Sequence, residues 1–272
     1  MELKERFARK IKRLLRIAGL PRWLHRFGPK RYELWQHLRA LLVREYSKLG
    51  FRRVKQLFDL LGHVCPSKSA LQYMTKRVPL LLWQRLLACT APAQANIVAV
   101  DGITFSRSCP SFHYLHRIDL QFPVRKPVKL SIVINTRTKK VLAARMRSNA
   151  AHDVKDFKHL LKRIKPKIVV ADKGYDSEAV HEHCFYRGIK TMIPLRAKAR
   201  EGFFRFKSAQ KFRQRTYHRR SIVESTFSAL KHKFGTSVKC RTARTQRAEI
   251  YCRLILKNIF YKLTRLRTQP NN

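Results

Sequence analysis

Apolar residues in the first third of the chain recur with the period of an α-helix. Residues 1–30 predict a basic amphipathic helix, which Pro21, Gly28 and Pro29 interrupt. From residue 32 to about residue 90 the apolar spacing stays helical, with leucines three or four positions apart. The pattern therefore predicts an all-helical N-terminal region.

Two short helices in this region are joined by a compact turn. They are predicted over residues 51–61 and from Ser67, a suitable N-cap, to about Arg77, with Gly62–Pro66 as the turn. Such a pair is typical of a helix-turn-helix, whose second helix enters the DNA major groove. The residues that would then face DNA are Ser67, Lys68, Ser69, Gln72, Tyr73 and Lys76. Plain packing within a small helical bundle would explain the same spacing.

Beyond residue 92 the pattern changes to short, continuous apolar runs, which are typical of buried strands. The predicted elements, in order, are strands at 97–102, 128–135 and 141–147, a helix at 153–164, a strand at 168–171, a helix at 177–186, a strand near 191–195 and a closing helix through 250–263. Residues 197–216 are polar and basic and predict a loop with little fixed structure. This order predicts an α/β fold, with helices on the faces of a mixed sheet, and two domains, residues 1–92 and 93–268.

The stretch from Tyr217 to Lys231 contains no glycine or proline and predicts a helix of about four turns. At about 100° per residue, Tyr217, Arg220, Glu224 and Lys231 share one face, while apolar side chains occupy the rest. The polar face therefore combines one carboxylate with an aromatic hydroxyl and two cations.

The chain carries a large positive charge. Its 272 residues contain 61 Lys and Arg against 16 Asp and Glu, a formal net charge of +45, and cations occur in every segment. Hydrophobic residues make up 44%, which is normal for a folded protein and excludes a disordered basic tail. Nucleic acid is the expected partner, because neutralising phosphates releases counterions. A ribosomal or chromatin-type basic protein is the alternative, but such a protein needs no buried carboxylates.

Other classes of protein and site are less favoured. No apolar run is long enough to span a membrane, and the six cysteines form no C-x-x-C pair, so a cytoplasmic protein with reduced thiols is expected. His181, His183 and Cys184 lie close together and could suggest zinc. No second pair of ligands follows at zinc-finger spacing, so a helix surface is the favoured interpretation.

Because acids are rare, their positions are informative. Asp101 and Asp172 each end an apolar strand, and neighbouring strands would bring both carboxylates to the sheet edge where α/β folds bind ligands. Glu224 could join them, and such oxygen ligands suit Mg²⁺ or Mn²⁺, two of which can promote phosphodiester cleavage. The alternative is that each acid pairs with a nearby cation or caps a helix. Asp153 is predicted to be a helix cap first and a site residue second.

Three blocks of the sequence resemble the DDE transposases of prokaryotic insertion sequences. Val98–Phe105 resembles the block of the first aspartate, and Val169–Glu178 resembles the block of the second. The spaced positions of the family's Y-x2-R-x3-E-x6-K signature are all present, at Tyr217, Arg220, Glu224 and Lys231. The resemblance covers about residues 97–263 and implies an RNase H-like catalytic domain after the helical region.

The resemblance also implies roles for these residues. Three acids are implied to be catalytic and to coordinate Mg²⁺, for which Mn²⁺ would substitute: Asp101, Asp172 and Glu224. Those implied to contact DNA phosphates are Tyr217, Arg220 and Lys231. The implied chemistry is hydrolytic nicking, followed by attack of the freed 3′ hydroxyl on target DNA without a covalent protein–DNA intermediate. The stretch between Asp172 and Glu224 is too short for the large inserted β subdomain of some relatives.

The expected function is thus that of an insertion-sequence transposase. Its partners would be double-stranded DNA, both the terminal inverted repeats of its element and the target, with Lys68, Gln72 and Lys76 as further DNA contacts. A homodimer is expected in the synaptic complex, because two element ends must meet, and the cytoplasm, at a prokaryotic nucleoid, is the expected location. The alternatives are a catalytically idle DNA-binding protein derived from a transposase and another RNase H-like nuclease.

Overall fold

The computed structural model describes residues 3–24, 27, 30–92, 94–107, 127–148, 151–197 and 199–267. The chain divides into two compact units, of which the first takes in residues 1–91 and 242–272 and the second residues 92–241. The predicted helix breaks at Gly28 and Pro29 lie outside the described residues.

The N-terminal part of the first unit is helical, as its apolar spacing predicts. Its helices are α1 (Leu3–Ile17), α2 (Leu34–Ser47), α3 (Phe51–Leu60), α4 (Lys68–Arg77) and α5 (Leu80–Cys89). The Ser67 hydroxyl accepts a hydrogen bond from the backbone N–H of Ala70 at 3.2 Å, which confirms the predicted N-cap of α4. Helices α3 and α4 pack on each other and on α2, and they bury Val54, Phe58 and Leu71.

The second unit is built on a mixed sheet. Its strands are β1 (Ile97–Arg107), β2 (Val128–Asn135), β3 (Val141–Arg147), β4 (Ile168–Ala171), β5 (Lys190–Met192) and β6 (Ser237–Val238). The order is β3-β2-β1-β4-β5, with antiparallel pairs β1–β2 and β2–β3 and parallel pairs β1–β4 and β4–β5, and β6 pairs with the end of β1. The helices are α6 (Val154–Leu161), α7 (Glu178–Tyr186), α8 (Phe203–Ala209), α9 (Gln214–Tyr217) and α10 (Ser221–Phe234). The predicted α/β fold, an RNase H-like mixed sheet with flanking helices, is confirmed.

The central strand and its neighbouring hairpin follow directly from the sequence. Val98, Ala99 and Val100 of β1 are fully buried, as a continuous apolar run in a sheet covered on both faces requires. Strands β2 and β3 have the predicted bounds. The turn between them is closed by the side-chain oxygen of Asn135, which accepts hydrogen bonds from two backbone N–H groups of the turn at 2.9 and 3.1 Å.

Three predicted elements of the second unit differ from the structure. The first strand does not end at residue 102, because β1 continues to Arg107 and Asp101 lies within it. Residues 197–216 are not a loop with little fixed structure, because they contain α8 and α9. The stretch from Tyr217 to Lys231 is not one helix, because α9 ends at Tyr217, a 3₁₀ turn spans His218–Arg220, and α10 begins only at Ser221. Of the predicted signature, Tyr217 and Arg220 therefore lie before α10, and Glu224 and Lys231 lie within it.

The closing helix, α11 (Ala243–Arg267), packs on α2, α4 and α5 of the first unit. Its Arg253 pairs with Glu249, and the Nε of Arg253 lies 3.5 Å from the carboxylate of Glu45 in α2. The predicted domain of residues 93–268 thus extends past the second compact unit, which ends at residue 241. The division into functional domains stays a prediction. None of the helices in the described ranges has the length and apolar content needed to cross a bilayer.

Candidate active site

Asp101 and Asp172 lie side by side where the parallel pairing of β1 with β4 ends. The last paired residues are Val100 and Ala171, and each aspartate is the next residue along the chain. Asp101 lies within β1, which continues to Arg107, whereas Asp172 directly follows β4. The backbone N–H of Gly102 donates a hydrogen bond to Asp101 Oδ1 at 2.8 Å. The backbone carbonyl of Asp172 accepts a hydrogen bond from the N–H of Tyr175 at 2.9 Å, so the chain turns away directly after the strand.

The surroundings of Asp101 act on its pKa in both directions, and the net effect raises it. Burial raises its pKa above the usual value, while the hydrogen bond from Gly102 and the charge of Arg220 lower it. The carboxylates of Asp153 and Asp172 raise the same pKa again. The geometry agrees, since Asp172 follows the neighbouring strand and Asp153 Oδ1 lies against Gly102.

Arg220 connects Asp101 to Glu224. Its Nη1 lies 3.5 Å from Asp101 Oδ2, and its Nη2 pairs with Glu224, one helical turn further along. Burial lowers the pKa of Arg220, but Glu224, Tyr217, Asp101 and Asp172 together raise it above its usual value. The guanidinium therefore lies in the field of all three predicted catalytic acids.

Glu224 faces this guanidinium rather than the two aspartates. Its side chain is 54% exposed, whereas that of Asp101 is 21% exposed. Within the described part of the chain, no three His, Cys, Asp or Glu side chains lie close enough together to hold a metal ion. The structure thus brings Asp101 and Asp172 together directly and links Glu224 to them through Arg220.

Asp153 is a fourth acid at the site, and the prediction that it caps a helix is wrong. It directly precedes α6, but its side chain makes no capping hydrogen bond. Its Oδ1 instead lies 2.7 Å from Nζ of Lys129 and would lie 2.6 Å from a Cβ atom at position 102. Gly102 therefore leaves the space that Asp153 fills, beside an open cavity of about 390 Å³ lined in part by Thr104.

Tyr175 is the residue of the site that sequence reasoning missed. Its side chain is 1% exposed and its ring packs 5.9 Å from that of Phe157 in α6. Its hydroxyl is buried and has no hydrogen-bond partner among the described residues. Burial raises the pKa of Tyr175 well above its usual value, and Asp153 and Asp101 raise it further. A buried hydroxyl without a partner is costly, which distinguishes Tyr175 from an ordinary core tyrosine.

Two other acids of the second block support the structure around the site. Asp176 is fully buried and accepts hydrogen bonds from the Nε of Arg205 at 2.9 Å and from the backbone N–H of Arg196 at 2.8 Å. Glu178 accepts from the backbone N–H groups of Phe204 and Arg205 and so fixes the start of α8. Their closeness to Asp172 in a chain with few acids was a signal that could have found them.

The zinc alternative gains no support from the geometry. The ring of the buried His181 faces Thr191 Oγ1 at 3.0 Å and Asp176 Oδ1 at 3.2 Å, so both of its nitrogens have protein partners. His183 and Cys184 lie with it on α7, so the predicted helix is present. His181 and Cys184 are buried, however, so the expected helix surface is wrong for these two.

The predicted DNA contacts lie in two places. In the second unit, Tyr217 and Lys231 are half-buried, at the end of α9 and in the last turn of α10. In the first unit, Lys68, Gln72 and Lys76 are all exposed on α4. These positions leave their side chains accessible, but DNA contact stays a prediction for all of them.

Comparison with known proteins settles the family. A family model described as the transposase DDE domain matches residues 94–259, which is more than half of the chain. The chain belongs to the DDE transposase family. The matched range contains all three predicted catalytic acids of this DDE domain and runs into α11, which packs in the first unit.

A solved structure shows the same fold as this DDE transposase. It is the cryo-EM structure of a piggyBac transposase synaptic complex with hairpin DNA, at a TM-score of 0.51 and 12% identity. The match covers 94% of this chain and 71% of that one. A search of curated proteins finds no match.

Proposed function

We propose that this protein is an insertion-sequence transposase that binds the ends of its element, cleaves DNA there and joins the freed 3′ hydroxyl to target DNA. The observation that carries the proposal is the placement of Asp101 and Asp172 on neighbouring parallel strands of a DDE domain. The link from Asp101 through Arg220 to Glu224 supports the assignment of the third acid.

The donor atoms of the site are of the type that a divalent metal ion takes, although the described acids are not gathered into a cluster that would already hold one. The donors are carboxylate oxygens, which Mg²⁺ and Mn²⁺ prefer. Burial and two acidic neighbours raise the pKa of Asp101, and a bound cation would relieve that repulsion. The buried hydroxyl of Tyr175 supplies a further polar group without a partner among the described residues. We therefore assign Asp101, Asp172 and Glu224 as the residues that would hold Mg²⁺, or Mn²⁺ in its place.

Such an ion, when bound, would activate the attacking oxygen and stabilise the leaving oxygen of the phosphodiester. The chain's own cations would position the DNA. Arg220 and Lys231 lie at the start and in the last turn of the α10 region, and with Tyr217 they would contact phosphates beside the acids. The closeness of Arg220 to Asp101 means that a phosphate held by this guanidinium would lie next to the carboxylates.

Binding of the element ends would use the first unit. Lys68, Gln72 and Lys76 project from α4, the second helix of the helix-turn-helix-like pair, and would contact the major groove. The similar piggyBac structure is a complex with DNA, which supports double-stranded DNA as the partner. We further propose a homodimer in the synaptic complex and a location at the nucleoid in the cytoplasm.

Incubation of the purified protein with supercoiled plasmid that carries the element ends tests this proposal. Nicked and joined products are expected with Mg²⁺ or Mn²⁺, and Asp101→Asn and Asp172→Asn are expected to reduce them by about 100-fold or more while DNA binding persists. Asp59→Asn, which removes an exposed acid of the first unit, serves as the matched control for charge.

Other outcomes would favour the alternatives. DNA binding without any cleavage by the wild-type protein would indicate an idle DNA-binding protein. Nicking that ignores the element ends and yields no joined product would indicate another RNase H-like nuclease. Cleavage that survives both aspartate substitutions would contradict the site assignment itself.

A further inference from the structure

Four aromatic rings form a cluster where α7 ends and α8 begins. Phe185 and Tyr186 lie at the end of α7, and Phe203 and Phe204 open α8. Ring centroids lie 5.1 Å apart for Phe185 and Phe204, 5.6 Å for Tyr186 and Phe204, and 5.2 Å for Phe203 and Phe204. Together with Lys207, these four residues are called the aromatic platform below.

Three of the rings are open to solvent. Tyr186 is 74% exposed, Phe203 67% and Phe185 46%. A contiguous exposed apolar patch is unusual on a protein surface and marks an interaction site more often than a structural one. Packing within the second unit does not account for Tyr186 and Phe203, because most of the area of these two side chains faces outward.

Cations accompany the rings. Nζ of Lys207 lies 4.6 Å from the ring centroid of Phe185 and 5.1 Å from that of Phe203. An open groove of about 510 Å³ lies beside them. Its lining includes Phe206, two basic side chains, Arg200 and Lys207, and one acidic side chain, Glu201. The surface is therefore aromatic and cationic at the same time.

The platform is held in place by buried contacts. The carboxylate of Glu178 accepts hydrogen bonds from the backbone N–H groups of Phe204 and Arg205 at 2.8 and 3.0 Å. The side chain of Arg205 donates to the fully buried Asp176. Gly202 has a φ of 123°, and a side chain there would collide with Glu178. The start of α8 is thus fixed before any ligand binds, which lowers the entropic cost of binding.

The exposed rings and the adjacent cation indicate what kind of partner this surface binds. Exposed rings with an adjacent cation match nucleobases, which stack on aromatic faces while the cation attracts the phosphates. Bases within a duplex already stack on one another, so only unpaired bases can reach such rings. A second copy of this chain is less favoured at this surface, because the cations beside the rings of one copy would face those of the other.

We propose that the aromatic platform is a binding site for unpaired bases of a single-stranded DNA segment. The proposal rests on the proposed function to the extent that DNA is the partner. It adds a site on α7 and α8, separate from the carboxylates and from the helix-turn-helix-like pair.

The test compares two DNA probes on the full-length protein at one fixed salt concentration. Fluorescence anisotropy measures the affinity for a labelled 20-nucleotide single strand and for a duplex of the same sequence. Tyr186→Ala and Phe203→Ala should each weaken single-strand binding by about ten-fold, equivalent to about 1.4 kcal/mol, and duplex binding by less than about two-fold. Tyr186→Phe, which keeps the ring, should bind the single strand like wild type.

A charge control and a direct contact measurement complete the design. Lys207→Ala should weaken single-strand binding more than Lys158→Ala, which removes an exposed lysine of α6 with the same change in net charge. A single strand that carries 5-iodouracil should cross-link on illumination to Tyr186 or Phe203, as mass spectrometry of the digested protein can show. Cross-links confined to residues outside the aromatic platform would contradict the proposal.

The outcomes separate this proposal from the proposed function. If the wild-type protein nicks element-end plasmid and the ring variants bind single strands unchanged, the platform assignment is wrong and the transposase assignment stands. If the wild-type protein binds neither probe, both are wrong. If the ring variants lower the oligomeric state in sedimentation and leave DNA binding unchanged, the surface binds a second copy of the chain and the proposal is overturned.

Discussion

Arg220 Nη1 lies 3.5 Å from Asp101 Oδ2, although 119 positions of sequence separate the two residues. The contact joins the 3₁₀ turn before α10 to the central strand β1. It places a cation beside a carboxyl group whose pKa is raised by burial and by two neighbouring acids. Whatever phosphate Arg220 holds would therefore lie against the acids proposed to bind metal.

Arg220→Gln tests this contact. The substitution removes a cation that lowers the pKa of Asp101, and the pKa of Asp101 should therefore rise further. Because Asp101 must be ionised to hold a metal ion, the acidic limb of the pH–rate profile should shift to higher pH, and cleavage near pH 7 should fall by about ten-fold. Plasmid cleavage measured from pH 5 to 9 checks this. Arg219→Gln, an exposed neighbour with the same loss of charge, should leave the profile in place.

Tyr175→Phe tests the buried hydroxyl. The substitution removes a polar group without a partner among the described residues, so the free energy of unfolding should stay the same or rise. Affinity for Mn²⁺, measured by calorimetry or electron paramagnetic resonance, should fall several-fold, because the hydroxyl lies in the field of the site's carboxylates.

A second buried tyrosine provides the control for that experiment. Tyr251 lies in the first unit and its side chain hydrogen-bonds Gln84. Tyr251→Phe should therefore destabilise the protein by about 1 kcal/mol and leave Mn²⁺ affinity unchanged. Equal Mn²⁺ affinity for Tyr175→Phe and wild type would show that the Tyr175 hydroxyl takes no part in the site.

Gly102→Ala should destabilise the protein by about 1–3 kcal/mol, because the added Cβ would lie 2.6 Å from Asp153 Oδ1. Combining it with Asp153→Ala should recover part of that loss, since the clashing oxygen is then absent. A double-mutant cycle of chemical denaturation measures the coupling. Gly50→Ala, where a Cβ meets nothing within 4 Å, should change stability by only a few tenths of a kcal/mol. Additive effects of the two site substitutions would argue against the close approach.

His181 should make stability depend on pH. Burial lowers its pKa below the usual 6.5, although Asp176 partly offsets the shift. The unfolded chain then binds a proton more readily than the folded one, so stability is greatest above about pH 6.5 and falls as the pH decreases below it. Thermal unfolding between pH 7.5 and 5.5 checks this. His181→Gln should flatten the dependence, and an unchanged slope would assign it to another group.

Local interactions explain how much of the fold could be predicted. The bounds of β2 and β3 follow from two largely apolar segments that flank a polar turn. The start of α4 follows from Ser67, whose hydroxyl bonds a backbone N–H only three residues further along. The α8 helix was missed because its first turn is fixed by Glu178, 26 positions earlier in the chain. No pattern within residues 197–216 carries that information.

The sequence by itself determined most of the elements, the fold class and the rare acids that follow apolar runs, because these depend on spacing over a few residues. Only the tertiary structure decided that Asp101 and Asp172 are neighbours, that Arg220 links Asp101 to Glu224, and that Asp153 pairs with Lys129 instead of capping a helix. Each of these contacts joins distant segments, and its partner is chosen by strand register and by the need to pair buried charge.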